Sequence, residues 1–567
     1  MFTKRCILFL LLFSVTAVFA AAAENDDSNG SAPVWSPGIE RTSTPQPQLI
    51  GEDYKVLAKS INDWKKGFFT GNPTIAKTST GRLLALYSGD TRGFASLIKS
   101  DDNGCSWQRL NSLDVIPWPN LFVAKSGIYV IYPTAIWKSP NKDRSCMEII
   151  RSTDDGKTWS EPTEIECTRG LAVHTGNAGV LVSRGRVACS FEVAPTMCVP
   201  VPQTKLAEPA AFREDDFDEK ATWLKVEDAS AVARYTLVCL ESGKKKLHCR
   251  VMDVDEKNSR FLLRPENWGR HERYKVSPVN SSGPWIFRPG TTLEAAAGTL
   301  GNKRDFWVMA VDAPDDEDVN LCDSELWRIS NPVANPVFAY SKAMHDVFGM
   351  IFDYRDENGR PDDAGRWSGW LEGTCIRLGH EGGDGRILNL LRMSQNVNDS
   401  ISGRVIFDDS GDELIAEFER IGFDEGLGVT HCYAEYDVKS GLYWMASNVN
   451  RNSTRDISDI KMKGGLATQE RSNLALFYSR NAADWFMAGM VAYSRGWAHS
   501  YHYPHFVISG DDLLVIARSH VESPLTEKTM NVDGDTADNH DGNAITLHRV
   551  PDFRQLANSD FIDYAEY

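Results

Sequence analysis

The sequence predicts an all-β fold, a six-bladed β-propeller carrying one insertion. Three observations lead there. First, six segments read as strand, glycine-bearing turn, strand: "PTIAKTSTGRLLALYSG", "LFVAKSGIYVIYP", "GVLVSRGRVACSFEV", "TCIRLGHEGGDGRILNLLRM", "CYAEYDVKSGLYWMASN" and "HFVISGDDLLVIARS". Second, an octet repeats in frame: "SDDNGCSW" from Ser100 to Trp107 and "STDDGKTW" from Ser152 to Trp159, the two tryptophans 52 residues apart. Third, long helical periodicity is absent, and regularly spaced hairpins in one long chain suit small sheets repeated around an axis.

The elements follow in chain order. Lys4 and Arg5, the run "ILFLLLFSVTAVF" and the alanines to Ala23 read as a secretory signal, residues 1–23. The run is too short for a confident membrane span. Residues 24–50, rich in Ser, Pro, Asn and Asp, read as a flexible leader, and 51–567 as the propeller. The chain carries a net charge of −17, and loss of Lys4 and Arg5 leaves 59 basic against 78 acidic side chains, or −19. That balance argues against nucleic acid and anionic membrane as partners, while leaving room for a local basic pocket. Ten cysteines remain beyond Cys6, and Cys239 and Cys249 flank "LESGKKKLH" in the manner of a cross-strand bridge.

The octets are predicted to be structural turns. Asp accepts backbone N–H groups, Gly takes positive φ, and the tryptophan packs between neighbouring sheets. "SRNAADW", with Ser479, Asn481 and Trp485, is a degenerate third copy one residue short.

"SDDNGCSW" and "STDDGKTW" resemble the Asp boxes, or BNR repeats, of the sialidase superfamily. The flanking text looks like a bacterial sialidase-like branch over roughly residues 65–195 and 366–555. Residues 276–365, with acidic loops such as "DAPDDEDVN", fit poorly and read as an insertion or extra element. The resemblance implies a sialidase-like propeller, an exported exo-acting glycoside hydrolase and an acidic glycan as substrate. Sialidases use three arginines to clamp a carboxylate, an Asp acid/base, and a Tyr nucleophile activated by a Glu. Where the first arginine is expected, in an Arg-Ile-Pro motif, this chain reads Gly71-Asn72-Pro73. The first arginine of the clamp is therefore missing. Two alternatives stay open: a uronic-acid lyase on the same fold, and a non-catalytic glycan-binding propeller.

Candidate site residues are polar groups beside inner strands. Glu372, in "RWSGWLEGTCIRL", lies in an apolar setting that would favour proton transfer, and simple strand alternation puts it on one face with Trp370. Arg392, on the following strand, is its charge partner or a carboxylate ligand. In "HSYHYPHF", Tyr503 and His502 read as the proton-transfer pair of a lyase, with Arg518 close by for substrate. His174 precedes an inner strand as a base, and Asp90 lies near where the resemblance places the acid/base Asp. His540 and Asp541 precede the last strand as substrate ligands. No cofactor is expected. The oxygen-rich stretch 531–543 could bind calcium, although it lacks EF-hand spacing. For each of these residues the bland alternative is a satisfied core or loop side chain.

Overall fold

A computed structural model of the chain describes residues 49–51, 54–59, 71–91, 94–115, 118–133, 147–165, 172–174, 179–193, 201–213, 216, 220–243, 245–265, 284–295, 307–335, 369–379, 385–394, 401–424, 431–449, 471–493, 499–521 and 542–557. All lie in the compact unit Gln48–Tyr567. Expectations for residues 1–47 fall outside this description.

Antiparallel sheets follow one another along the chain. Sheet one is Gly71–Lys77, Leu83–Thr91, Phe94–Ser100 and Gln108–Leu113; sheet two is Asn120–Ala124, Gly127–Pro133, Met147–Ser152 and Thr163–Ile165. Sheet three pairs the short pieces Ala172–His174 and Val180–Ser183 with Arg186–Val193, then Trp307–Pro314 and two outer fragments. Sheet four is Gly369–Arg377, Ile387–Ser394, Ile401–Asp408 and Ile415–Phe423; sheet five is Tyr433–Asp437, Leu442–Ser447, Asn473–Ser479 and Phe486–Tyr493. Sheet six is Ser500–Ser509, Asp512–His520 and Ala544–Val550, with Lys55–Lys59 from the beginning of the unit as its outermost strand. The last sheet is thus closed by pairing the two ends of the unit, Lys55 opposite Leu547.

The second strands explain why the sheets stack. Leu83, Leu84, Ala85 and Leu86 are all fully buried, so this strand has no wet face. Side chains alternate between faces. Leu83 and Ala85 join Leu514, Ile516 and Leu547 of sheet six, while Leu84 and Leu86 join Val130 and Ile150 of sheet two. Comparable apolar seams join sheets two and three, three and four, four and five, and five and six. Each sheet is therefore sandwiched between two others, and the first strands line the middle. This is a β-propeller arrangement.

Sheet three is interrupted. Its strands Arg186–Val193 and Trp307–Pro314 pair directly, Ser190 opposite Ala310, although more than a hundred residues separate them in the chain. Between them runs a six-stranded sheet from Gln203–Lys205 to Thr292–Ala295, with a separate two-stranded piece. It has its own core around Phe261, Leu263, Trp285 and Phe287. The stretch 276–365 expected as extra overlaps the end of this insert and the third strand of sheet three, and 336–368 lie outside the described residues.

Cys239 and Cys249 do lie on paired strands, but no disulfide joins them. The register is the reason. Cys239 stands opposite His248 and Cys249 opposite Val238, so the two thiols point to opposite faces and cannot bridge.

The octets form the turns between third and outer strands. Ser100 Oγ accepts from the Gly104 N–H at 2.9 Å, and Asp102 accepts from the Ser106 N–H and hydroxyl at 2.8 and 2.6 Å. Ser152, Asp154, Gly156 and Thr158 repeat these bonds. Gly104 and Gly156 have φ +86° and +83°, and a Cβ there would press on leucines of the adjoining sheets. Trp107 and Trp159 are only half-buried; each donates its indole N–H to the carbonyl of its octet glycine and packs against a seam.

Candidate active site

In these sheets the first strand leaves one end, the second returns to it and the third leaves again. The start of strand one, the end of strand two and the start of strand three therefore meet at a common end. The octets, after strand three, lie at the other.

At that common end several inner strands break their alternation. In sheet four Leu371 pairs with Arg392 and Thr374 with Leu390, with a bulge between, and Glu372 takes φ +53°. In sheet six His502 pairs with Arg518 and His505 with Ile516, and Tyr503 takes φ +51°. Sheet one bulges alike between Gly71 and Thr74, with Asn72 at φ +49°. A left-handed backbone is unusual for Glu and Tyr and costs on the order of 1 kcal/mol or more at each. It also overturns the simple alternation expected for Trp370–Gly373, because a bulge re-aims the side chain it carries.

The bulges bring Glu372 and Tyr503 together. The Tyr503 hydroxyl donates to Glu372 at 2.8 Å from Oε1 and 3.0 Å from Oε2. Arg392 Nε stands 2.7 Å from Glu372 Oε2, a close charge contact whose N–H is not aligned on the oxygen. Three guanidiniums surround the Tyr503 ring: Arg518 at 4.3 Å, Arg392 at 5.7 Å and Arg471 at 5.8 Å from its centroid. All five residues are buried. Gly373 is required beside them, since a Cβ would lie 2.0 Å from Asn389 Oδ1, and its N–H reaches Glu192 Oε1 at 3.4 Å.

Burial pushes the Tyr503 phenol above its usual pKa, and Glu372 adds to that, while the three arginines pull it down. Burial lowers Arg471 to about 10. Arg392 is raised: burial opposes its charge, but Glu372 and Tyr503 outweigh burial.

His502, fully buried, has its two ring nitrogens facing Arg518 and Arg471, not the Tyr503 hydroxyl. In place of the expected Tyr503–His502 proton-transfer pair, the Tyr503 hydroxyl is bonded to Glu372, while the His502 ring meets Tyr503 edge-on with its nitrogens on the two arginines. Behind Tyr503, His431 stacks parallel to it at 5.6 Å, and His505 stacks on Tyr433 at 3.8 Å. Tyr433 donates to Glu435 at 3.4 Å, and burial raises Glu435 to about 7.

Of the sequence candidates, Glu372, Arg392, His502, Tyr503 and Arg518 converge here. His174 lies on a short strand opposite Glu192 and Asp90 near the end of Leu83–Thr91, and the side chains of both fall outside the description. His540, Asp541 and the candidate calcium oxygens of 531–541 lie outside the described residues. Arg471, Glu192 and His431 were not anticipated. Arg471 precedes a third strand, which touches the centre only at its start; "RSNLALFYS", an arginine on the threshold of an apolar strand, is the signal the sequence carries for it.

No known protein family matches the chain, and no curated protein does. Solved structures are similar at low identity. An alpha-L-arabinanase of Penicillium chrysogenum in complex with arabinobiose is 9% identical, with a TM-score of 0.38, covering 88% of this chain and 98% of that one. The Trypanosoma rangeli sialidase in complex with sialic acid is 9% identical, with a TM-score of 0.39; the match covers 88% of this chain and 56% of that one. The Hadza microbial sialidase Hz136 is 11% identical, with a TM-score of 0.37, covering 86% and 66%. Such values leave the reaction to be argued from the site. Among the described residues no helix is long and apolar enough to cross a membrane.

Proposed function

We propose that this chain is an exported, six-bladed propeller that hydrolyses glycosides of acidic sugars, with Tyr503 as nucleophile. The observation that carries this reading is the Tyr503 hydroxyl on both Glu372 oxygens inside a ring of three arginines. Glu372 takes the phenol proton as Tyr503 Oη attacks the anomeric carbon, and the bond to the leaving oxygen breaks. A general acid protonates that oxygen, and Asp90 is the residue the family resemblance offers. Water then cleaves the glycosyl–tyrosine bond, with the proton returned to the phenol, so configuration is retained. The arginines hold the sugar carboxylate and favour the phenolate. A phenol suits this task better than a carboxylate, since it reaches an anionic sugar without bringing a full charge of its own.

The test uses chromogenic aryl glycosides of sialic and glucuronic acids. Wild type releases the phenol, and Tyr503→Phe loses turnover on the order of ten-thousandfold while still binding the sugar. A 2,3-difluoro sialic acid leaves a covalent adduct on Tyr503, seen by mass spectrometry. An unsaturated ultraviolet-absorbing product in place of the free sugar establishes the lyase alternative. Binding without any turnover establishes the glycan-binding one.

A further inference from the structure

His502 is on the inner strand immediately before Tyr503, in register with Arg518, and none of it is exposed. Arg518 Nε donates to His502 Nε2 at 3.0 Å. On the other side of the ring Arg471 Nη1 lies 3.3 Å from Nδ1. The ring stands edge-on to Tyr503, 85° between planes at 5.4 Å. An imidazole between two guanidiniums has little freedom. A protonated ring would add a third positive charge in contact with two others, and would turn an N–H towards each of them. A neutral ring has a single acceptor nitrogen, and the Arg518 bond assigns it to Nε2, leaving the proton on Nδ1.

We propose that His502 is a positioning residue: a neutral spacer between Arg471 and Arg518 whose Nε2 holds Arg518 over the Tyr503 ring. The proposal rests on the reading of Tyr503 and the arginines as a site for an acidic sugar. The imidazole acts here as an orienting acceptor for the Arg518 guanidinium. Unlike a carboxylate, a neutral imidazole orients the guanidinium without adding a negative charge of its own. The third cation of the site is thereby supplied from sheet six, while the sheet-one bulge carries the uncharged Asn72.

The two amide side chains separate the roles of the two nitrogens. Gln places its carbonyl near the position of Nε2, and Asn places its own near Nδ1. His502→Gln is expected to keep Arg518 in place, and His502→Asn to release it, its carbonyl facing Arg471 instead. Crystal structures of both variants, which need no substrate, test this directly. Arg518 stays over the Tyr503 ring in H502Q and swings away in H502N. With the aryl sialoside and glucuronide as probes, H502N raises KM on the order of tenfold or more, the usual worth of a charge-assisted bond, with kcat within about threefold. H502Q restores KM to near the wild-type value. A general packing defect would lower both variants alike, and a melting curve for each excludes simple unfolding. Arg518 unmoved in H502N, or KM unchanged in that variant with the wild type active, overturns the proposal. A wild type that cleaves neither glycoside overturns the assigned reaction, and the two crystal structures still decide the role of His502.

Discussion

Positive φ occurs at both ends of the sheets, but different residues bear it. In the octets the left-handed positions fall on Gly104 and Gly156, each preceded by Asn103 or Asp155, types that tolerate this region well. In the inner-strand bulges of sheets four and six it falls on Glu372 and Tyr503, which tolerate it poorly, while in that of sheet one it falls on Asn72, which tolerates it well. The octet turn is stabilised by its own bonds: Ser to Gly N–H, Asp to the Ser or Thr that follows, Trp to the glycine carbonyl. The bulges are held by partners from elsewhere in the chain, Tyr503 by Glu372 131 residues away and Gly373 by Glu192 181 residues away. Where a turn serves only the fold, a glycine removes the strain. Where a side chain must reach the centre, the strain remains and the surrounding sheets hold it.

Glu372→Gln should show the largest effect, because it acts on both sides of that contrast. Gln still accepts the Tyr503 hydroxyl but cannot take its proton, so turnover of the aryl glycosides should fall about a hundredfold or more. It also leaves Arg392, buried beside it, without its nearest negative charge. A stability loss of up to about 3 kcal/mol is expected by chemical denaturation. Full activity would remove Glu372 from the reaction. Lost activity with unchanged stability would show that Glu192 suffices to balance Arg392.

The contrast also explains what could be read from the sequence. The octets were legible because their chemistry is local: eight residues contain both the donors and the acceptors. The all-β hairpins were legible because the second strands are buried on both faces and read as unbroken apolar runs, "LLALY" and "LLVIA". Glu372, Arg392, Tyr503 and Arg518 were found because they flank inner strands, but the Glu372–Tyr503 partnership was not. It depends on two bulges, and strand alternation, the only rule available without a partner strand, pairs each residue with the wrong neighbours. Arg471 was missed because a third strand touches the centre only at its first residues. The insert was misplaced because strands 114 residues apart in the chain, at Val193 and Trp307, join edge to edge, and nothing local marks that join.

Trp159→Ala should have an intermediate effect and confine it to stability. The indole is half-buried on the seam between sheets one and two and donates to Gly156 O at 3.0 Å. A fully buried tryptophan costs about 3–5 kcal/mol on truncation, so about 2 kcal/mol is expected here. The octet lies at the far end of its sheet from Tyr503, so kcat and KM should stay at wild-type values. A fall in activity at temperatures where the variant remains folded would show that seam and site are coupled, and would weaken the separation drawn above.

The smallest effect is expected at the third, degenerate octet, where the comparison is sharpest. Asn481 there plays the part of the octet aspartate, accepting from the backbone N–H groups of Ala483 and Asp484 at 2.9 and 2.8 Å. The left-handed position falls on Ala482, φ +54°, which is fully buried and accepts from Arg404 Nη1 through its carbonyl at 3.0 Å. Ala482→Gly should relieve backbone strain of about 1 kcal/mol. Against that, it removes a buried methyl worth about 0.8 kcal/mol and loosens the unfolded chain by a further 0.4–1 kcal/mol or so. These contributions nearly cancel, and the carbonyl bond to Arg404 is untouched. The midpoint of denaturation should therefore move by less than about 1 kcal/mol, in either direction, with activity unchanged. A loss above about 2 kcal/mol would mean that packing of the methyl, not backbone strain, governs this turn. The missing glycine would then be a packing choice, and the rule that structural turns shed their strain would hold only for the two complete octets.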